Sequence, residues 1–147
     1  MNSASGHNPE WVRKILSITW LLPVLRIALV SAFLVGGISK LMDFPAAMAE
    51  QANFGLQPAA LWAAAAIIVE IGGSLCVIFN RFVWLGAGGL GCLTAVAMFV
   101  ANDFWNQSGA QFFGTFNSFF EHLGLIAALV LVTIMSDLKS NSGSDLK

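Results

Sequence analysis

Residues 58–79 read PAALWAAAAIIVEIGGSLCVIF, an apolar run interrupted by one charge, Glu70. About 20 apolar residues in helical form cross the hydrocarbon core of a bilayer. An ionisable group at that depth costs at least ~2.5 kcal/mol on insertion scales. Glu70 must therefore meet a partner inside the protein or stay protonated. That requirement narrows the possible folds more than any other stretch of the chain.

Three further runs of the same kind cover 20–41, 82–102 and 116–135. The expected fold is all-α, a polytopic membrane protein whose single domain, 20–137, is a four-transmembrane-helix bundle. Charged residues make up 10% of the chain and hydrophobic ones 57%, whereas soluble domains carry about 25% charged. The first run is too long for a signal core and contains Arg26, so it is read as a retained span. Tails are expected over 1–19, with His7 in a polar first stretch, and over 138–147, the latter disordered. Cys76 and Cys92 lie in apolar runs without a CxxC, which suits thiols that fill helix contacts.

Between the first two runs, PAAMAEQAN (45–53) suits a short interfacial helix on the outer face. In QFFGTFNSFFEH (111–122), Phe112, Phe113, Phe116, Phe119 and Phe120 share one arc at about 100° per residue. Gln111, Thr115, Asn117, Ser118, Glu121 and His122 share the other. The pattern predicts a helix with phenylalanines toward lipid and its polar stripe toward the bundle, or a helix lying flat in the interface. Four crossings return both termini to one side. Arg13, Lys14, Arg81, Lys139 and Lys147 fall there, and Lys40 falls opposite. Positive residues mark the cytoplasmic side, so both termini are expected in the cytoplasm. A net charge of −1 gives no reason to expect a nucleic acid partner.

Two polar groupings stand out. Arg26 and Lys40 share a face of the first span. Arg26 lies about 21 Å below Lys40, and Glu70 about 18 Å below Pro58, at 1.5 Å per residue. If both helices start level, Arg26 and Glu70 meet as an intramembrane ion pair. Such a pair is either a proton or ligand site or a device that fixes helix register. The second grouping is shallower: Lys40, Asp43, Asn102, Asp103, Glu121 and His122. A lone His122 serves structure, proton exchange or a hydrogen bond to a quinone-like carbonyl. A metal would also need the acidic neighbours, and none is expected. The candidate catalytic residues are thus Glu70, Arg26 and His122, with Lys40, Asn102, Asp103 and Glu121 as candidate ligand-binding residues.

Several of these residues sit in a recurring order. They are Arg26, then Gly36-Gly37-Ile38-Ser39-Lys40-Leu41-Met42-Asp43-Phe44, then Phe54-Gly55-Leu56-Gln57-Pro58. Next come Glu70-Ile71-Gly72-Gly73, Arg81, Asn102-Asp103-Phe104-Trp105 and Glu121-His122-Leu123-Gly124-Leu125. In this the chain resembles the DoxX family of small four-helix bacterial membrane proteins, over about Pro23 to Met135. The resemblance implies the bacterial inner membrane and redox work, since the family is related to a subunit of a thiosulfate:quinone oxidoreductase. On this reading a quinone head group or a small anion is the expected ligand, and a membrane or soluble redox partner supplies electrons. No intrinsic flavin, haem or iron–sulfur motif is recognisable. Two other readings stay open. One is a small-solute transporter component, which would need a homo-oligomer. The other is a structural membrane partner without chemistry.

Overall fold

The structure, a computed structural model, describes residues 8–144, with side chains as far as Lys139. His7 and the last three residues lie outside that range. Six helices follow one another: α1 (Glu10–Leu16), α2 (Leu21–Met42), α3 (Phe44–Asn53), α4 (Ala59–Ile78), α5 (Val83–Ala101) and α6 (Gly109–Ser144). A single 3-10 turn, Phe104–Asn106, joins α5 to α6. Of these, α2, α4, α5 and α6 are long and apolar enough to cross a membrane.

The helix bounds differ from expectation mainly at the two ends of the chain. Glu10–Leu16 is helical where a tail was expected. α6 runs for 36 residues, starting before and ending after the expected 116–135. Nothing in its flanks stops a helix: Gln111, Leu138 and Lys139 are good helix formers, and no proline follows.

The spans pack in chain order. α2 lies on α4, α4 on α5 and α5 on α6, and α2 touches α6 only slightly. Val30, Val77, Val83, Ala87, Leu90, Leu129 and Val132 form the core toward the face of the α4–α5 turn. Large apolar side chains on every span point outward, among them Val35, Ile68, Trp84 and Leu131. Such a surface is covered by lipid rather than water.

Short local signals fix the connections. Asp43 ends α2 and caps α3, its Oδ1 accepting from the Ala46 N–H at 3.0 Å, with Pro45 beside it in the first turn. The Asp43→Ala variant is expected to lose about 1 kcal/mol of stability, readable as a drop in detergent melting temperature. α3 closes on Gly55 at φ +75°, where the Leu56 N–H reaches the Gln51 carbonyl and the Gly55 N–H reaches Ala52. α4 closes in the same way on Asn80 at φ +55°, with Arg81 N–H to Cys76 and Asn80 N–H to Val77. Both are left-handed helix ends, which only glycine and asparagine adopt at low cost. The α3 helix is the short surface helix expected over 45–53.

The phenylalanines of α6 meet the expectation in part: Phe113, Phe116 and Phe120 are exposed on the outside of the bundle, while others pack inward. Phe104 packs edge-on against Phe112, Phe116 and Phe119, at centroid distances of 6.0, 5.3 and 5.3 Å. These rings hold the α5–α6 connection down, so they face the protein at least as much as lipid. Glu121 in turn is exposed, and the polar stripe does not all face the bundle.

Candidate functional site

The Glu70 partner is Lys40, not Arg26. Lys40 Nζ lies 2.9 Å from Glu70 Oε1 and 3.2 Å from Oε2. The expected Arg26–Glu70 pair fails because α2 and α4 do not start level. Gly37 sits against Glu70, so close that an added Cβ would lie 3.0 Å from the Glu70 Cβ. Counting from Gly37 to the end of α2, and from Ala59 to Glu70, α4 begins about 9 Å farther out than α2 ends. Arg26 is then about 16 Å deeper than Glu70 at the same rise. The extra height of α4 is taken up by α3 and the 54–58 turn.

Side-chain direction completes the pairing. Helical side chains tilt toward the helix N-terminus. Lys40 therefore reaches down α2, over Gly36, while Glu70 reaches up α4. Gly36 leaves room for this: an added Cβ would lie 3.4 Å from Glu70 Oε2 and 3.7 Å from Lys40 Nζ. The pair is largely sheltered, with 18% of the Lys40 side chain and 10% of the Glu70 side chain exposed. Below it, the Ser74 hydroxyl donates to the Glu70 carbonyl oxygen and fixes the next turn of α4.

This pair forms the polar end of a cleft of about 380 Å³ between α4 and α5, covered at the loop face by α3. Its walls are mostly apolar, from Ala65, Val69, Gly89, Leu93, Val96 and Val100. Trp62 and Phe54 add aromatic surface, and Glu50 and Gln51 of α3 add polar groups. Ala65, Cys92, Val96 and Val100 are exposed, so the cleft opens sideways, on the face that lipid covers. An ammonium group has three N–H donors, and Lys40 directs its two contacts at one carboxylate. Donor capacity therefore remains for a ligand.

The other candidate residues do not line this cleft. Arg26 is buried on the same α2 face as Val30, and its Nε has no hydrogen-bond partner among the described residues. The Asn102 Nδ2 is likewise buried without one. Asp103 accepts from Asn106 Nδ2 at 3.2 Å and Gln107 Nε2 at 3.0 Å, which braces the turn into α6. Glu121 accepts from Asn117 Nδ2 at 2.6 Å. The His122 Nδ1 lies 2.6 Å from the Ser118 carbonyl oxygen. A carbonyl only accepts, so Nδ1 carries a proton in this contact. The expected outer grouping is thus dispersed into local helix and turn contacts, with Lys40 drawn inward.

Sequence reasoning missed the cleft walls. Cys92 read as packing and Glu50 as part of a surface helix, and Trp62 stood among no candidates. The one usable signal was Gly36, four residues before Lys40, which marks the groove the lysine lies along.

No curated protein and no solved structure matches the chain. A family model, DoxX, matches residues 21–103, which takes in the Lys40–Glu70 pair and the whole lining of the cleft and leaves Glu121 and His122 outside. With four apolar spans and more than half of its length matched, this multi-pass membrane protein belongs to the DoxX family.

Proposed function

We propose that this chain is the ligand-binding membrane subunit of a quinone-linked oxidoreductase system of the bacterial inner membrane, with both termini in the cytoplasm. One observation carries the reading: a sideways-opening apolar cleft ends on an ammonium–carboxylate pair. A quinone dissolves in lipid and reaches such a cleft from the side. Its ring suits the aromatic surface of Trp62 and Phe54, and its tail suits the α4–α5 walls. A quinone carbonyl oxygen accepts a hydrogen bond from the Lys40 ammonium. Reduction to the quinol consumes two electrons and two protons. The electrons come from a partner protein, and Lys40 and Glu70 stand where protons must be delivered.

Trp62 supplies the test. In nanodiscs, a short-chain benzoquinone should quench its fluorescence saturably. The saturable part should vanish in Trp62→Phe. In the charge-free double variant Lys40→Met/Glu70→Leu, binding should weaken about tenfold or more, as expected for a lost hydrogen bond from a charged donor. Linear quenching, or quenching unchanged in both variants, would overturn the reading. Solute counterflow in proteoliposomes that is lost in Glu70→Gln would move the assignment to transport.

A further inference from the structure

The exposed face of α6 carries a charge where a membrane helix should not show one. Phe119 packs edge-on against Phe99 at 5.8 Å, near the outer end of α5. Glu121, two residues deeper along α6, lies about 6 Å inside that end at 1.5 Å per residue. It is nevertheless exposed, and Asn117, one turn away, is exposed with it. Intramembrane carboxylates almost always face a protein interior or a water-filled cavity. Here the protein interior lies elsewhere, which leaves Glu121 open to cover by a surface outside this chain.

The rest of the face fits a close helix contact. Gly114, Asn117, Glu121, Gly124 and Ala128 fall within an arc of about 80° at 3.6 residues per turn. A Cβ added at Gly114 or Gly124 would meet nothing within 4 Å. Small residues let membrane helices approach closely, and amide or carboxyl side chains then hydrogen-bond across the contact.

We infer that this face of α6 is the interface of a homodimer, with the Asn117–Glu121 pair at its centre. The face is complementary to itself. Asn117 has two N–H donors and uses one on its own Glu121, which keeps free lone pairs. The second N–H of each copy can then reach the Glu121 carboxylate of the other. Copies inserted the same way in one membrane are related by an axis along the membrane normal, so like residues meet at like depth. A foreign helix would have to bring its own matched donors to this depth, whereas a second copy has them by construction. This inference is independent of the quinone reading, since α6 does not line the cleft.

Cysteine crosslinking in native membranes tests it. With Cys76 and Cys92 replaced by alanine, Gly124→Cys and Gly114→Cys should give a disulfide-linked dimer under mild oxidation. The open surroundings of both glycines spare the fold. Gly88→Cys on α5, where an added Cβ also meets nothing within 4 Å, should give none. Dilution in nanodiscs should show dimer dissociation shifted about tenfold by Asn117→Leu/Glu121→Leu. Equal crosslinking at Gly88, a crosslink only to a different protein, or unchanged dissociation in the double variant would each overturn the inference.

Discussion

Lys40→Met will destabilise the protein by roughly 3–5 kcal/mol, the usual cost of stripping the partner from a buried charge. Glu70 sits on a membrane span with 10% of its side chain exposed, and its carboxylate contacts a single cation among the described residues. Without Lys40 it is an unpaired carboxylate in a groove of Gly36, Gly37 and apolar walls. Removing both charges, in Lys40→Met/Glu70→Leu, should restore most of the loss, because well-packed apolar residues often replace a buried pair at little cost. A double-mutant cycle in mild detergent, followed by SDS-induced unfolding, reads the coupling directly. Additive losses would mean that the 2.9 Å contact contributes nothing to folding. With stability restored, the double variant would be stable yet poor at binding, which separates the structural role of the pair from its role toward a ligand.

The second large effect lies where α4 crosses α5. At Gly86, an added Cβ would lie 2.6 Å from both the Gly73 carbonyl oxygen and the Cys76 Cβ. At Gly73, it would lie 3.0 Å from the Gly86 carbonyl oxygen and 2.9 Å from the Leu90 Cγ. Backbone cannot step aside as a flexible side chain can. Gly86→Ala is therefore expected to cost about 1–3 kcal/mol by overpacking, and Gly86→Val more. Gly88→Ala and Gly91→Ala, which meet nothing within 4 Å, should be neutral or gain about 0.5–1 kcal/mol from helix propensity. Thermal unfolding of the three alanine variants would show the contrast. Equal melting temperatures across the set would mean that the helices do not cross at these glycines.

The spans were legible because each depends on one run of residues. Apolar length placed α2, α4 and α5 to within a residue or so of 20–41, 58–79 and 82–102. The site was legible only in part. Lys40 and Glu70 each stood out as charges in apolar surroundings, but their pairing depends on how far one helix is shifted along another. No periodicity within α2 or α4 records that shift. It is set by the capped turn at Asp43, the length of α3 and the left-handed end at Gly55, which act together. The tilt of helical side chains and the glycine at position 36 favoured an inward lysine. An outward-facing lysine at a span end is the commoner case, and that hid the signal. The cleft walls were less legible still, because alanine, valine and glycine look alike whether they pack a helix or line a groove.

The tight turn at Asn80 has a mechanical consequence for ligand entry. α4 and α5 are joined there by a few residues, and they lie backbone against backbone at Gly73 and Gly86 a little farther along. The cleft lies between the same two helices at their far ends, from Gly89 to Ala101. The pair is built like tweezers, with a stiff pivot at one end and jaws at the other. Widening must therefore grow with distance from the pivot, largest beside Trp62 and Val100 and least at Gly89. A bulky head group can pass between the jaws without disturbing the valine and leucine core behind the pivot.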